Sequence, residues 1–361
     1  DLVGNNRYGQ VGRKVGNYIT PMEFNAAEHE AGNKTLLGQQ VLDDGLGGDL
    51  TAVVDLLFNH ANTAPFVSKH LIMRLVTSNP SPAYVQRVAA VFANNGLGVR
   101  GDLKAVVRAV LMDAEARGNA YLTNPNYGKA DEPLLAFTRF LKTFRVSRLN
   151  GWISRNSTAM HGVYWYRSPQ NSFAQAPMRS LSVFNFYDAE FIPSDPYFAA
   201  NNLIAPEFQI QTVPMLANYN NIIWDVINGN EKNAILEKHL SLQAFASTRK
   251  QFHNIFIIDF DDELALFEMA LDGDTNGDFA NMESTVIDGF GNTPRQHAIL
   301  TLLVHLQNRM LGGVMPVGYF APLQNHLETI IHRQNPKKWA RLIIKDAVQL
   351  LASSSEFKVL K

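Results

Sequence analysis

The chain contains no cysteine. That absence excludes disulfides, thiolate nucleophiles, iron–sulfur clusters and cysteine-type zinc sites together, and it leaves the compartment open. Charge is also scarce, at 18% of residues with a formal net charge of −1. Such a balance supplies neither the basic field that holds nucleic acid nor a polybasic patch for an anionic membrane, so nucleic acid is set aside as a partner. No apolar run reaches the roughly 18 residues a membrane span needs. The best stretch, Ala298 to Leu306, is interrupted by His305, and no membrane span is expected.

Catalytic signatures are missing as well. There is no GxSxG, no phosphate-binding loop and no HExxH among the ten histidines, so serine hydrolase, NTPase and zincin chemistry lack their anchors. The stretch GLGVRG at Gly96 to Gly101 matches GxGxxG literally, but a helix precedes it where a dinucleotide site needs a strand. It reads as an interhelical turn, and the adjoining RGD reads as Asp102 capping a helix. The chain opens at Asp1 without an initiator Met or a secretion signal, so a removed leader or N-terminal region is expected.

What is present points to helices. Hydrophobic residues make up 46% of 361, enough for a substantial core. In GDLTAVVDLLFNH, Asp49 is placed to cap a helix whose Leu50, Val53, Val54, Leu57 and Phe58 form one apolar stripe. GDLKAVVRAVLMD, from Gly101, repeats the phrase with Leu103, Val106, Val107, Val110 and Leu111 in register. Between them lie a helix opened by Asn62 or Thr63 and another with Ser81 as cap, Pro82 at its first position and Gly96 as terminator. Further helices are predicted at 133–145, 214–227, 261–271, 294–311, 321–334 and 336–351. The expected fold is mainly α, a multi-helix bundle with few strands. It divides into an N-terminal helical region (1–145), an irregular segment rich in aromatic residues, Pro and Asn (146–212), and a C-terminal helical region (213–361).

One loop carries metal chemistry. DGDTNGDFANME, Asp272 to Glu283, fits the twelve-residue EF-hand loop. Asp272, Asp274 and Asn276 take positions 1, 3 and 5, Gly277 makes the turn, Asp278 offers its carbonyl and Glu283 a bidentate carboxylate. Ala280 leaves its ligand position to water, and Phe279 replaces the usual aliphatic residue. The loop is a single copy, so a structural Ca2+ staple is favoured over a switch, with a solvated acidic turn as the other reading. A dockerin-like module would need a second copy.

Two weaker constellations remain. His60 and Asn62 sit at a helix-to-helix corner, close in sequence to Lys69 and Arg74, where local capping competes with a ligand role. Tyr187, Asp188, Glu190 and Glu207 mark the aromatic segment, where carboxylates could do acid–base work or grip a sugar, against a reading of buried aromatics and exposed acids.

Three long phrases, HEAGNKTLLGQ from His29, FNHANTAPFVSKHLIMRLVTSNPSPAYVQRVAAVFANNGLG with RGDLKAVVRAVLMDAEAR, and RSLSVFNFYDAEFIPSDPYFAANNLIAPEFQIQT, resemble the bacterial Domain of Unknown Function 1800 family. The resemblance covers most of the chain and implies an α-helical, exported bacterial protein with no assigned catalytic residues. The calcium-type loop looks like a local addition to that pattern. Three functions are therefore expected, in order: an exported or cell-surface calcium-binding scaffold or binding protein, an enzyme acting on extracellular polysaccharide or sulfated material, and a docking or assembly protein. Its partner would be another exported protein or a polysaccharide.

Overall fold

The computed structural model describes residues 25, 27–41, 48–119, 124, 126–147, 173–228, 257–272, 293–330 and 336–360. Among the described residues helices dominate, and the strands form three two-stranded antiparallel pairs. The chain divides into two compact units, residues 1–71 with 82–110, and residues 72–81 with 111–361.

In the first unit a hairpin of β1 (Lys34–Leu36) and β2 (Gln39–Val41) precedes α1 (Gly48–Asn59). Leu36 pairs with Gln39, so Leu37 and Gly38 make a two-residue turn with φ of 51° and 75°. Positive φ at both positions matches the right-handed twist of the strands. The helices α2 (Thr63–Leu75), α3 (Pro82–Ala93) and α4 (Leu103–Met112) follow the predicted spans. Their shared core is small: Ala64, Tyr84, Val88, Phe92, Val106 and Val110 are buried. The Tyr84 hydroxyl donates to the Val110 carbonyl at 2.6 Å, joining α3 to α4.

The expected capping role of Asp49 on α1 is corrected. Asp49 lies inside the helix, not ahead of it. Its carboxylate is taken by Lys34 at 2.8 Å and His29 at 3.0 Å, which fasten the 29–34 loop to the first turn. The apolar stripe is also largely in solvent, since Leu50, Val54, Leu57 and Phe58 are exposed. Asp102 behaves as predicted: its Oδ1 accepts the Ala105 amide at 3.1 Å, and Asn95 donates to Oδ2 at 2.8 Å. The glycine turn before it is tight. At Gly101, φ is +74° and a Cβ would stand 2.6 Å from the Phe58 ring, so a side chain would be strained and would displace that ring.

The second unit holds the large core. Its elements are α5 (Ala114–Arg117), β3 (Lys129–Ala130), α6 (Pro133–Thr143), β4 (Arg145–Ser147), α7 (Pro196–Ala200), a 3₁₀ turn (Pro206–Gln209), α8 (Val213–Asn228), β5 (Ile257–Asp259), α9 (Asp261–Asp272), α10 (Pro294–Leu311), α11 (Val317–Thr329), α12 (Pro336–Ser353), α13 (Ser355–Lys358) and β6 (Val359–Leu360). Helix α9 packs on α10, while α8 and α10 pack on α12. Phe267, Leu302, Leu306, Trp339 and Ile343 meet there, and burying each such side chain stabilises the fold by roughly 1.5–3 kcal/mol.

Helix α10 shows why these spans were readable. Thr293 and Gln296 form a capping box, Pro294 takes the first turn, and Gly312 closes the helix in the left-handed region at φ 68°. Helix α11 begins four residues earlier than the predicted 321 and contains Pro322. The short strands were not foreseen individually; β4 pairs with β5 and β3 with β6, joining segments far apart in sequence.

Candidate functional site

The second unit gathers Arg74, Tyr187 and Glu207, three residues singled out from sequence, around two that were not, Lys129 and Glu132. Arg74 comes from the last turn of α2, and its guanidinium donates to the Tyr187 hydroxyl and, at 3.1 Å, to the Phe184 carbonyl. It also lies 4.6 Å from the Tyr187 ring centroid. The Tyr187 hydroxyl in turn donates to Glu132 Oε1 at 2.6 Å.

Glu132 is the hub, standing at the N-cap position of α6, where the helix dipole favours a carboxylate. It accepts from Gln175 at 2.5 Å and from the Asn185 amide at 3.2 Å on both oxygens. Asn185 reaches it from the left-handed conformation, φ 82°, which Asn tolerates better than most residues. Lys129, itself buried on β3, donates to the Arg74 carbonyl at 3.1 Å and faces Glu207 Oε1 at 3.5 Å. Glu207 is 1% exposed on the 3₁₀ turn, and its Oε2 makes no hydrogen bond.

Burial dominates the electrostatics. It raises the Glu207 carboxyl above the ordinary range, against the pull of Lys129. It raises the Tyr187 phenol too, with Glu207 and Glu132 adding to the effect, so the hydroxyl keeps its proton. Asp131, beside the hub, is likewise raised by burial while Arg139 draws it down from 3.1 Å. Two cations and two carboxyl groups thus answer each other around one phenol. Asp188 and Glu190 are exposed, and Asp188 Oδ1 accepts the Glu190 amide at 3.0 Å in a local turn. The expected pattern of buried aromatics and exposed acids therefore holds for those two acids and fails at Glu207.

His60 and Asn62 belong to the first unit. His60 Nδ1 accepts the Asn62 amide at 3.2 Å, and the Asn62 carbonyl accepts the Phe66 amide at the start of α2. The outgoing carbonyls of α1 are not capped by the His60 ring: Arg100 donates to the Phe58 and His60 carbonyls at 3.0 and 3.3 Å, and Thr63 to the Leu57 carbonyl at 2.5 Å. His60 lines a cleft of 660 Å³ between β2 and α1, with Gln39, Gln40, Asp55 and Asn59 as its other polar groups.

The calcium-type loop falls outside the described residues except for Asp272, which ends α9; Asp274, Asn276, Asp278 and Glu283 receive no structural account. Among the described residues no group of three acidic or histidine side chains could hold a metal ion, and no helix is long and apolar enough to cross a membrane.

Sequence reading missed Lys129, Glu132, Gln175, Asn185 and the cleft amides. The one available signal was Lys129, Asp131 and Glu132 crowded ahead of Pro133 in a chain poor in charge. A family model described as "Protein of unknown function (DUF1800)" matches residues 11–359. No curated protein and no solved structure matches the chain.

Proposed function

The chain belongs to the DUF1800 family, and from that premise we propose that it is an exported, calcium-stabilised helical scaffold that binds a ligand at the cell surface. One observation carries this reading: Tyr187 and Glu207 are buried and engaged by Arg74, Glu132 and Lys129. Side chains paired internally in this way fasten the aromatic segment to α2, β3 and α6. A buried charge network of this kind fixes one arrangement of the chain because any other leaves charges uncompensated.

Calcium enters through the spacing of Asp272, Asp274, Asn276, Asp278 and Glu283. That loop links α9 to α10, two helices packed on each other, which suits a staple that ties their ends. The resemblance to the family is what supports the export part of this reading.

Substituting Glu132→Gln tests the network: the variant is expected to unfold at lower urea and to be cleaved by protease between residues 182 and 209. An unchanged midpoint and cleavage pattern would contradict the reading. The enzyme alternative draws on a different fact, the raised carboxyl of Glu207, since a general acid must hold its proton. It requires a Glu207→Gln variant to lose turnover of an extracellular polysaccharide while keeping its fold.

A further inference from the structure

We infer that the cleft between β2 and α1 is a binding site for a neutral oligosaccharide. This rests on the binding-protein reading and gives it a place and a ligand class. The cleft has a volume of 660 Å³, inside the range of about 300–1,000 Å³ typical of small-molecule sites. Val41, Ala52, Leu56 and Ala61 provide its apolar surface, and Gln39, Gln40, Asp55, Asn59 and His60 its polar groups.

The polar set selects the ligand. Three carboxamides can each donate and accept, which suits neighbouring hydroxyls that do both. His60 Nδ1 is occupied by the Asn62 amide, so the neutral ring carries its proton on Nε2 and offers a donor. Asp55 adds an acceptor, while Asn59 is braced by its own bond to the Asp55 carbonyl at 2.9 Å. The described lining includes no Lys or Arg, which disfavours sulfated or phosphorylated ligands, and a single carboxylate is too few for a hard cation. Strand β2 has three residues, a short edge for an extended peptide to join as a further strand.

Saturation-transfer NMR and calorimetry on the whole chain test this with chitotetraose, maltotetraose and cellotetraose as probes, and with tetra-alanine and a sulfated tetrasaccharide as competing classes. At least one neutral oligosaccharide is expected to bind. Gln40→Ala and Asn59→Ala should each weaken it about tenfold, the loss of one or two hydrogen bonds, with no change in the thermal midpoint. The inference is overturned if no neutral oligosaccharide binds at about 10 mM, a level that would detect even millimolar affinity. It is equally overturned if only the peptide or the sulfated probe binds, or if binding survives both substitutions. Calcium-dependent stabilisation is independent of all these outcomes, so failure of the site and failure of the scaffold reading are separable.

Discussion

The two units treat their carboxylates in opposite ways. In the first, the hydrogen bond from Lys34 holds Asp49 below its ordinary value, and the hydrogen bond from Asn95 does the same for Asp102. In the second, burial holds Asp131 and Glu207 above theirs despite neighbouring cations. The first pair gains from ionisation, and the second resists it. Falling pH therefore removes the stabilisation of the first pair, whereas rising pH removes that of the second. An ion pair seen in a structure therefore does not fix the sign of its pH dependence; the balance of desolvation against pairing does.

The largest expected effect comes from removing the hub of the second unit. Glu132→Ala leaves Tyr187, Gln175 and Asn185 without their shared acceptor and removes the carboxylate 4.0 Å from Arg74, and a loss of about 3–5 kcal/mol is expected in urea unfolding. A loss below about 1 kcal/mol would place the network at the level of a surface ion pair and break the contrast.

The pH predictions are smaller and run in opposite directions. Glu207 has a folded value above its ordinary 4.5, so its stabilisation is complete below that pH and falls as pH rises through the folded value. Measured from pH 4 to 9, the stability of the wild type relative to Glu207→Gln should decline with rising pH. For Asp49, lowered from 3.8, the stabilisation is present above that pH and disappears as pH falls through the folded value. Relative to Asp49→Asn, the wild type should lose stability only below about pH 4. If both differences moved the same way, the comparison between the units would fail. The smallest effect is expected on the exposed side of α1, where Val54→Ala should change the thermal unfolding free energy by no more than about 0.5 kcal/mol.

How much of this was legible depends on the distance over which each feature is specified. Helix α10 is announced within its own residues by Thr293, Pro294, Gln296 and Gly312, and its span was read correctly. The two GDL phrases show the limit. They share one pattern, and Leu50 and Leu103 are exposed in both, yet Val110 of α4 is buried while its counterpart in α1, Leu57, is exposed. Periodicity gives a helix its stripe, but only tertiary neighbours decide whether it is covered. Likewise Asp102 caps because Asn95 and the Ala105 amide are local, whereas Asp49 is captured by Lys34, fifteen positions away.

The site was legible in part. Arg74, Tyr187 and Glu207 drew attention as polar groups in unusual company, and the fold joins them across separations of 113 and 20 residues. Glu132 was hidden as the residue before a helix-opening proline: it stands at the N-cap position of α6 without a side-chain capping bond, and its carboxylate is used by partners 43 to 55 positions away. The cleft amides gave no signal, because Gln and Asn are common on short elements and carry no spacing that marks a site, although β2 and α1 follow each other in the chain.

The central claim, a scaffold stabilised by one calcium ion, is tested most directly by titrating calcium into the metal-free protein and following heat and thermal unfolding together. The account predicts binding at one site and a gain of about 2.7 kcal/mol at free calcium one hundred times the dissociation constant. Asp274→Asn and Glu283→Gln should abolish both signals. No heat of binding and an unmoved unfolding midpoint would contradict it.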